Sequence, residues 1–133
     1  MHSLYHRADA WSPKVIAAAI EVHRLKGPGF LEPLYEKCMM WECSLVGIPV
    51  IQQMRVEIEY KGHVFEDNMR LDLLVDDCLI LELKSVEKIL PIHKAQLLSY
   101  MKLLDKPLGL LINFNELLLK NGLHRLILPG ANQ

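Results

Sequence analysis

The sequence predicts an α/β fold in which a central mixed β-sheet is flanked by α-helices. Three observations carry this reading. Two segments near the N-terminus show helical apolar spacing between recognisable start and stop residues. The stretches 69–75 and 79–84 are apolar nearly throughout, as central strands are when both faces are covered. The elements run in the order helix, helix, four strands, helix, two strands. The 133 residues suffice for one domain with one core, taken here as residues 1–133.

The segment "SPKVIAAAIEVHRLKGPG" starts the first helix with Ser12 as cap and Pro13 at the first helical position. Gly27-Pro28-Gly29 stops it, and Val15, Ala18, Ala19, Val22 and Leu25 form its apolar stripe. Residues 1–11 are expected to be a loosely ordered N-terminal segment. A second helix runs from about Leu31 to Val46 and closes at Gly47. Phe30, Leu34, Cys38, Trp41 and Leu45 recur there at helical spacing, with Glu32, Tyr35 and Glu36 to other sides. Pro33 falls in the first turn, where a missing N–H does no harm.

"QQMRVEIEYKGHVFE" alternates Met54, Val56, Ile58 and Tyr60 with charged neighbours and turns at Lys61-Gly62. This reads as a hairpin with one face toward water. The strands 69–75 and 79–84 form the next pair. Pro91 opens a helix, "PIHKAQLLSYMKLLDK", that Pro107 ends, and "LGLLIN" and "GLHRLIL" read as the last two strands. Asn113 and Asn115 are placed to cap a turn. Trp11 and Trp41 are read as packing residues.

Hydrophobic residues make up 51% of the chain and charged ones 23%, a globular composition. No apolar run approaches the ~20 residues that span a bilayer. "MHSLYHRADAWSP" has no basic region followed by an apolar core, so a cytoplasmic protein without membrane association is expected. Cys38, Cys43 and Cys78 include no C-x-x-C pair and read as reduced thiols rather than a zinc site. The six histidines show no metal-binding grouping. A formal charge of −1 argues against coating long stretches of nucleic acid but allows a local basic groove. A chain this small and this neutral would grip such a substrate better as a homodimer or with a protein partner.

The chemistry is concentrated in "RLDLLVDDCLILELKS", Arg70 to Ser85. Alternation puts Leu71, Leu73, Val75, Leu79, Leu81 and Leu83 on one apolar face. Arg70, Asp72 and Leu74, with Ile80, Glu82 and Lys84, fall on the other. If Asp76-Asp77-Cys78 is a three-residue loop, Val75 pairs with Leu79 and Asp72 lies opposite Glu82, with Cβ atoms ~5 Å apart. A two-residue turn would slip the register and part the carboxylates. Facing carboxylates repel unless a positive charge lies between them, and hard cations such as Mg²⁺ bind one or two carboxylates beside substrate phosphates. Lys84, on the same face, can orient a water or offset charge in the transition state. The competing reading is structural, with Lys84 paired to Glu82 and Arg70 to Asp72.

Asp72, a hairpin and E-x-K between helices resemble the PD-(D/E)XK nuclease superfamily. "GFLEPLY" contributes Gly29, Glu32 and Tyr35, the G-x-x-E-x-x-Y signature of the GxxExxY family within it. "AIEVHRLKGPGFLEPLYE", "RLDLLVDDCLILELKSVEKILPIHKAQLLSYMKLL" and "GLLINFN" extend the resemblance from Ala18 to about Leu128. Leu71 stands where the superfamily name has proline. The resemblance implies a restriction-endonuclease-like core and a Mg²⁺- or Mn²⁺-dependent nuclease acting on DNA or RNA. Asp72 and Glu82 would hold the metal, with the backbone carbonyl of Leu83 and the helix-borne Glu32 as further ligands. Lys84 would be the catalytic lysine, and Gln96 matches the glutamine on the helix after E-x-K. Tyr100, one turn on, and Lys94 are candidates for substrate contact. Gly29 supplies a backbone angle other residues resist, Tyr35 packs with its hydroxyl partnered near the site, and His23 reads as a packed, hydrogen-bonded residue. A non-catalytic nucleic-acid-binding or regulatory module with the same fold is the alternative function.

Overall fold

A computed structural model describes the backbone of residues 1–133 and the side chains of all but residues 66–68. Its elements are α1 (Tyr5–Lys26), α2 (Glu32–Val46), β1 (Val50–Tyr60), β2 (His63–Val75), β3 (Leu79–Lys84), α3 (Pro91–Leu104), β4 (Leu108–Asn113), a 3-10 turn (Leu119–Gly122) and β5 (Leu123–Ile127). The five strands form one sheet in sequence order. β3 and β4 are parallel, joined through α3, and all other neighbours are antiparallel.

The sheet has a core on each side. α1 and α2 cover Leu73, Val75, Leu79, Leu81, Leu83, Leu108, Leu110 and Ile112. On the other side, Leu97, Tyr100 and Met101 of α3 cover Leu71, Leu74, Ile80 and Leu111. β3 and β4 are buried on both faces, which explains why they are apolar apart from Glu82, Lys84 and Asn113.

Several sequence expectations are corrected. α1 begins at Tyr5, not at Ser12, and Pro13 lies inside it. An interior proline costs about 3 kcal/mol, and tertiary packing offsets it. Ala8 is buried, and Leu4, Tyr5 and Trp11 pack against the α1/α2 core. Arg7 pairs with Asp76, and Arg125 reaches Asp9 and the Tyr5 hydroxyl. Residues 5–11 are therefore helical rather than loosely ordered. Trp11 donates its indole N–H to Asp76. Leu25, placed in the α1 stripe, is exposed.

In α2 the buried stripe is Tyr35, Met39 and Cys43. Trp41 is 68% exposed, and Phe30 and Leu45 are exposed with it, so Trp41 is not a core residue. The expected second and third strands are one continuous strand, β2, giving five strands instead of six. The single apolar face drawn through Leu71 and Leu73 is also broken. Leu71 and Leu74 join the α3 core whereas Leu73 joins the α1/α2 core. Alternation fails where Gln53 of β1, between Gln52↔Leu73 and Met54↔Leu71, takes a left-handed φ of 53°.

The odd-numbered hairpin loop holds, since Val75 pairs with Leu79 and the Cys78 N–H donates to the Val75 carbonyl. No helix among the described residues is long and apolar enough to cross a membrane.

Gly122 packs its α-carbon against the end of β4. A β-carbon there would drive into the Asn113 carbonyl oxygen, whereas one at Gly109 would meet only the mobile ends of Met101 and Leu97. Gly122→Ala is expected to cost about 1–3 kcal/mol, and more than Gly109→Ala. Urea denaturation checks this as a lowered midpoint with an unchanged slope.

Candidate active site

β2 and β3 stop exchanging ladder pairs after Leu73↔Leu81, and side chains take over. The Asp72 N–H donates to Glu82 Oε1 at 3.3 Å, and Asp72 Oδ2 accepts from the Leu83 N–H at 2.8 Å. The two carboxylates expected to face each other are thus brought together, each bonded to the other strand's backbone. Glu82 is only 5% exposed, and Asp72 is half-buried.

Burial pushes Glu82 up to about 8, and the neighbouring charge of Asp72 adds to it, while the Asp72 N–H and Lys84 pull it down. Asp72 is also raised, first by burial. The Leu83 N–H and Lys84 oppose that rise, and Glu36 and Glu32 reinforce it. Glu32 occupies the first turn of α2, where a carboxylate favours the helix dipole, and its charge is felt at Asp72. Glu36, one turn on, acts on Asp72 more strongly and accepts a 2.7 Å bond from Gln53. Sequence reasoning set Glu36 aside, although its i,i+4 spacing from Glu32 places both on one helix face.

Lys84 is half-buried, and its charge acts on both carboxylates. The ion pairs of the described residues are His2–Asp105, Arg7–Asp76, Arg24–Glu21, Lys106–Asp77 and Arg125–Asp9. Neither Lys84–Glu82 nor Arg70–Asp72 is among them, so the structural salt-bridge reading lacks its pairs. Tyr100 is buried on α3, and its hydroxyl is raised first by burial and then by the charge of Glu82. Gln96 is exposed, with Nε2 3.5 Å from that hydroxyl. Lys94 is exposed, and its charge is felt by His124 of β5. His93 caps α3 by accepting from the Leu90 N–H.

A separate network positions these elements. The Tyr35 hydroxyl donates to the Gly27 carbonyl at 2.6 Å and accepts from the Phe30 N–H at 3.2 Å, while its ring stacks on Phe114. Gly29 has φ 101°, which favours glycine, and its N–H donates to Asn115 Oδ1. The Ser85 hydroxyl donates to the Phe30 carbonyl. Buried Asn113 accepts from the Val86 and Asn115 N–H groups and donates to the Val86 carbonyl. Asn113 and Asn115 therefore do more than cap a turn, because they tie the strand end after Lys84 to the loop before Glu32. His23 donates to the Glu116 carbonyl at 2.7 Å, a structural role.

Among the described residues no three His, Cys, Asp or Glu side chains are placed to hold a metal by themselves. The donor set still fits a hard divalent cation. Two adjoining carboxylates, with two more acting on Asp72 from α2, face one lysine, and hard cations accept mixed sets of carboxylates, carbonyls and water.

The raised Glu82 pKa fixes a sign. The folded state keeps a proton that the unfolded chain loses above the ordinary value of 4.5, so this group's contribution to stability is full below 4.5 and declines up to about 8. In EDTA, Glu82→Gln is expected to gain stability relative to wild type as pH rises across that window. Urea denaturation at several pH values measures the difference, and a constant difference would contradict it.

A sequence profile of the PD-(D/E)XK nuclease superfamily matches residues 9–126. Comparisons with curated proteins and with solved structures return no significant match. The profile spans most of the chain and includes both carboxylates and Lys84, and the mixed sheet flanked by helices agrees with it. The chain belongs to the PD-(D/E)XK nuclease superfamily.

Proposed function

We propose that the protein is a divalent-cation-dependent nuclease that hydrolyses phosphodiester bonds of DNA or RNA, and that it falls in the GxxExxY group. The observation that carries this reading is the joined, buried Asp72–Glu82 pair with Lys84 beside it and no ion pair neutralising it among the described residues. Membership of the superfamily and the loop built around Gly29 and Tyr35 support it.

In this reading Asp72, Glu82 and the Leu83 carbonyl hold Mg²⁺ or Mn²⁺, with Glu32 completing the set from α2. The bound cation would supply Lewis-acid polarisation of the phosphate and a lower water pKa. Lys84 orients the attacking water and offsets negative charge as the new P–O bond forms and the leaving P–O bond breaks. Tyr100, with its hydroxyl near Glu82, and Gln96, one turn earlier, supply hydrogen bonds at the rim. Lys94 contributes positive charge for a more distant phosphate.

A binding or regulatory module without turnover is the second reading. In its favour, both carboxylates are engaged by backbone N–H groups and no three metal-binding side chains converge among the described residues.

The test is cleavage of single- and double-stranded DNA and RNA with Mg²⁺ or Mn²⁺, alongside Glu82→Ala and Lys84→Ala proteins purified identically. Cleavage is expected to require the cation and to fall at least a hundredfold in both variants, of the order found when a group stabilising transition-state charge is removed. Mg²⁺ is also expected to raise the thermal midpoint of the wild type but not of Glu82→Ala. A cation-dependent shift without cleavage of any substrate would favour the binding module.

A further inference from the structure

Of five arginines, Arg7, Arg24 and Arg125 are ion-paired with Asp76, Glu21 and Asp9. Arg55 and Arg70 differ. They are direct register partners across β1 and β2, both are exposed, and neither has an acidic partner among the described residues. Like charges directly opposite in a sheet repel and destabilise the pairing.

Their direction follows from their neighbours. Met54 and Val56 flank Arg55, Met69 and Leu71 flank Arg70, and all four join the α3 core. Both guanidinium groups therefore project from the opposite face. On that side of the sheet Glu36 of α2 meets Gln53, and the Asp72 carboxylate, where the β2/β3 ladder ends, is felt by Tyr100 of α3 as well as feeling Glu36 and Glu32. Arg70 stands two residues, about 6.8 Å of strand, from Asp72. β2 pairs with β3 only at residues 73–75, so beyond Asp72 the β1/β2 ribbon extends past the sheet. Glu57, two residues beyond Arg55 and exposed, limits the basic patch to this single row.

We infer that Arg55 and Arg70 form a clamp for one phosphate of a nucleic-acid strand, the neighbour of the phosphodiester presented to Asp72 and Glu82. This rests on the nuclease reading above. Guanidinium forks bind phosphate oxygens in bidentate fashion, and two arginines across a ribbon can take one phosphate from both sides. The bound anion turns a repulsive cross-strand pair into an attractive one.

Two measurements on the Arg55→Gln/Arg70→Gln protein test it. In EDTA at low ionic strength, inorganic phosphate is expected to raise the thermal midpoint of the wild type and to leave that of the double variant in place. For single- and double-stranded oligonucleotides under the same conditions, the variant is expected to bind about tenfold more weakly, the worth of one charge-assisted contact. The loss should be uniform across sequences, with the slope of log affinity against log salt reduced by about one. Wild-type binding with an unchanged variant overturns the clamp alone. A phosphate-dependent difference with no oligonucleotide binding by the wild type overturns the assignment of the clamp to a nucleic-acid strand, while the nuclease reading stands or falls by the cleavage test with Mg²⁺ or Mn²⁺. Equal phosphate response in both proteins overturns the anion site itself.

Discussion

Where β2 leaves β3, the backbone ladder gives way to two side chains. Asp72 and Glu82 each bond to the backbone of the other's strand, and these contacts hold the hairpin together at the point where it opens. A sheet cannot simply end in a buried place, because unpaired N–H groups there cost about 1–3 kcal/mol each. Carboxylates satisfy those donors while bringing negative charge into the interior. The same two residues thus close the sheet and create its most charged buried feature, so the fold at this point cannot be separated from the site.

Around that junction the loop of Gly27 to Leu31 is held from three directions. Tyr35 closes it from α2, Ser85 holds it from the strand end after Lys84, and Asn115 holds it from beyond β4. Asn113, buried and bonded to both edges of Val86, fixes where the chain turns away after Lys84. None of these groups needs to touch a substrate. They fix the distance between a helix that carries Glu32 and Glu36 and a strand that carries Glu82 and Lys84.

Most of this was legible in the sequence, for identifiable reasons. Apolar strands and an odd-numbered turn put Asp72 beside Glu82, because side-chain alternation and loop length leave few other registers. Helix boundaries were legible where glycine or proline marked them, as at Gly47 and Pro91. The same logic failed at Pro13, where ion pairs and burial from distant residues carry the helix through a residue that locally opposes it. It failed again at Leu71, because Gln53 turns the ribbon over with a left-handed backbone that nothing in its residue type announces. The α2 stripe differs from its spacing because Trp41 and Leu45 recur at helical intervals yet are exposed. The role of Glu36 is not legible locally, since its partner Gln53 lies 17 positions away on a strand edge.

The turn between β2 and β3 has a further consequence. Asp76 and Asp77 both have left-handed backbones, φ 45° and 56°, a conformation uncommon outside glycine that aspartate tolerates better than most residues. Arg7 and Trp11 of α1 grip Asp76 from outside. The element that secures the turn is thus some 65 residues earlier in the chain and leaves the ribosome long before it. Pairing β2 with β3 is local, but securing their turn is a long-range event that needs α1. The hairpin is thus braced by α1 at its turn and by the paired carboxylates at its opposite end.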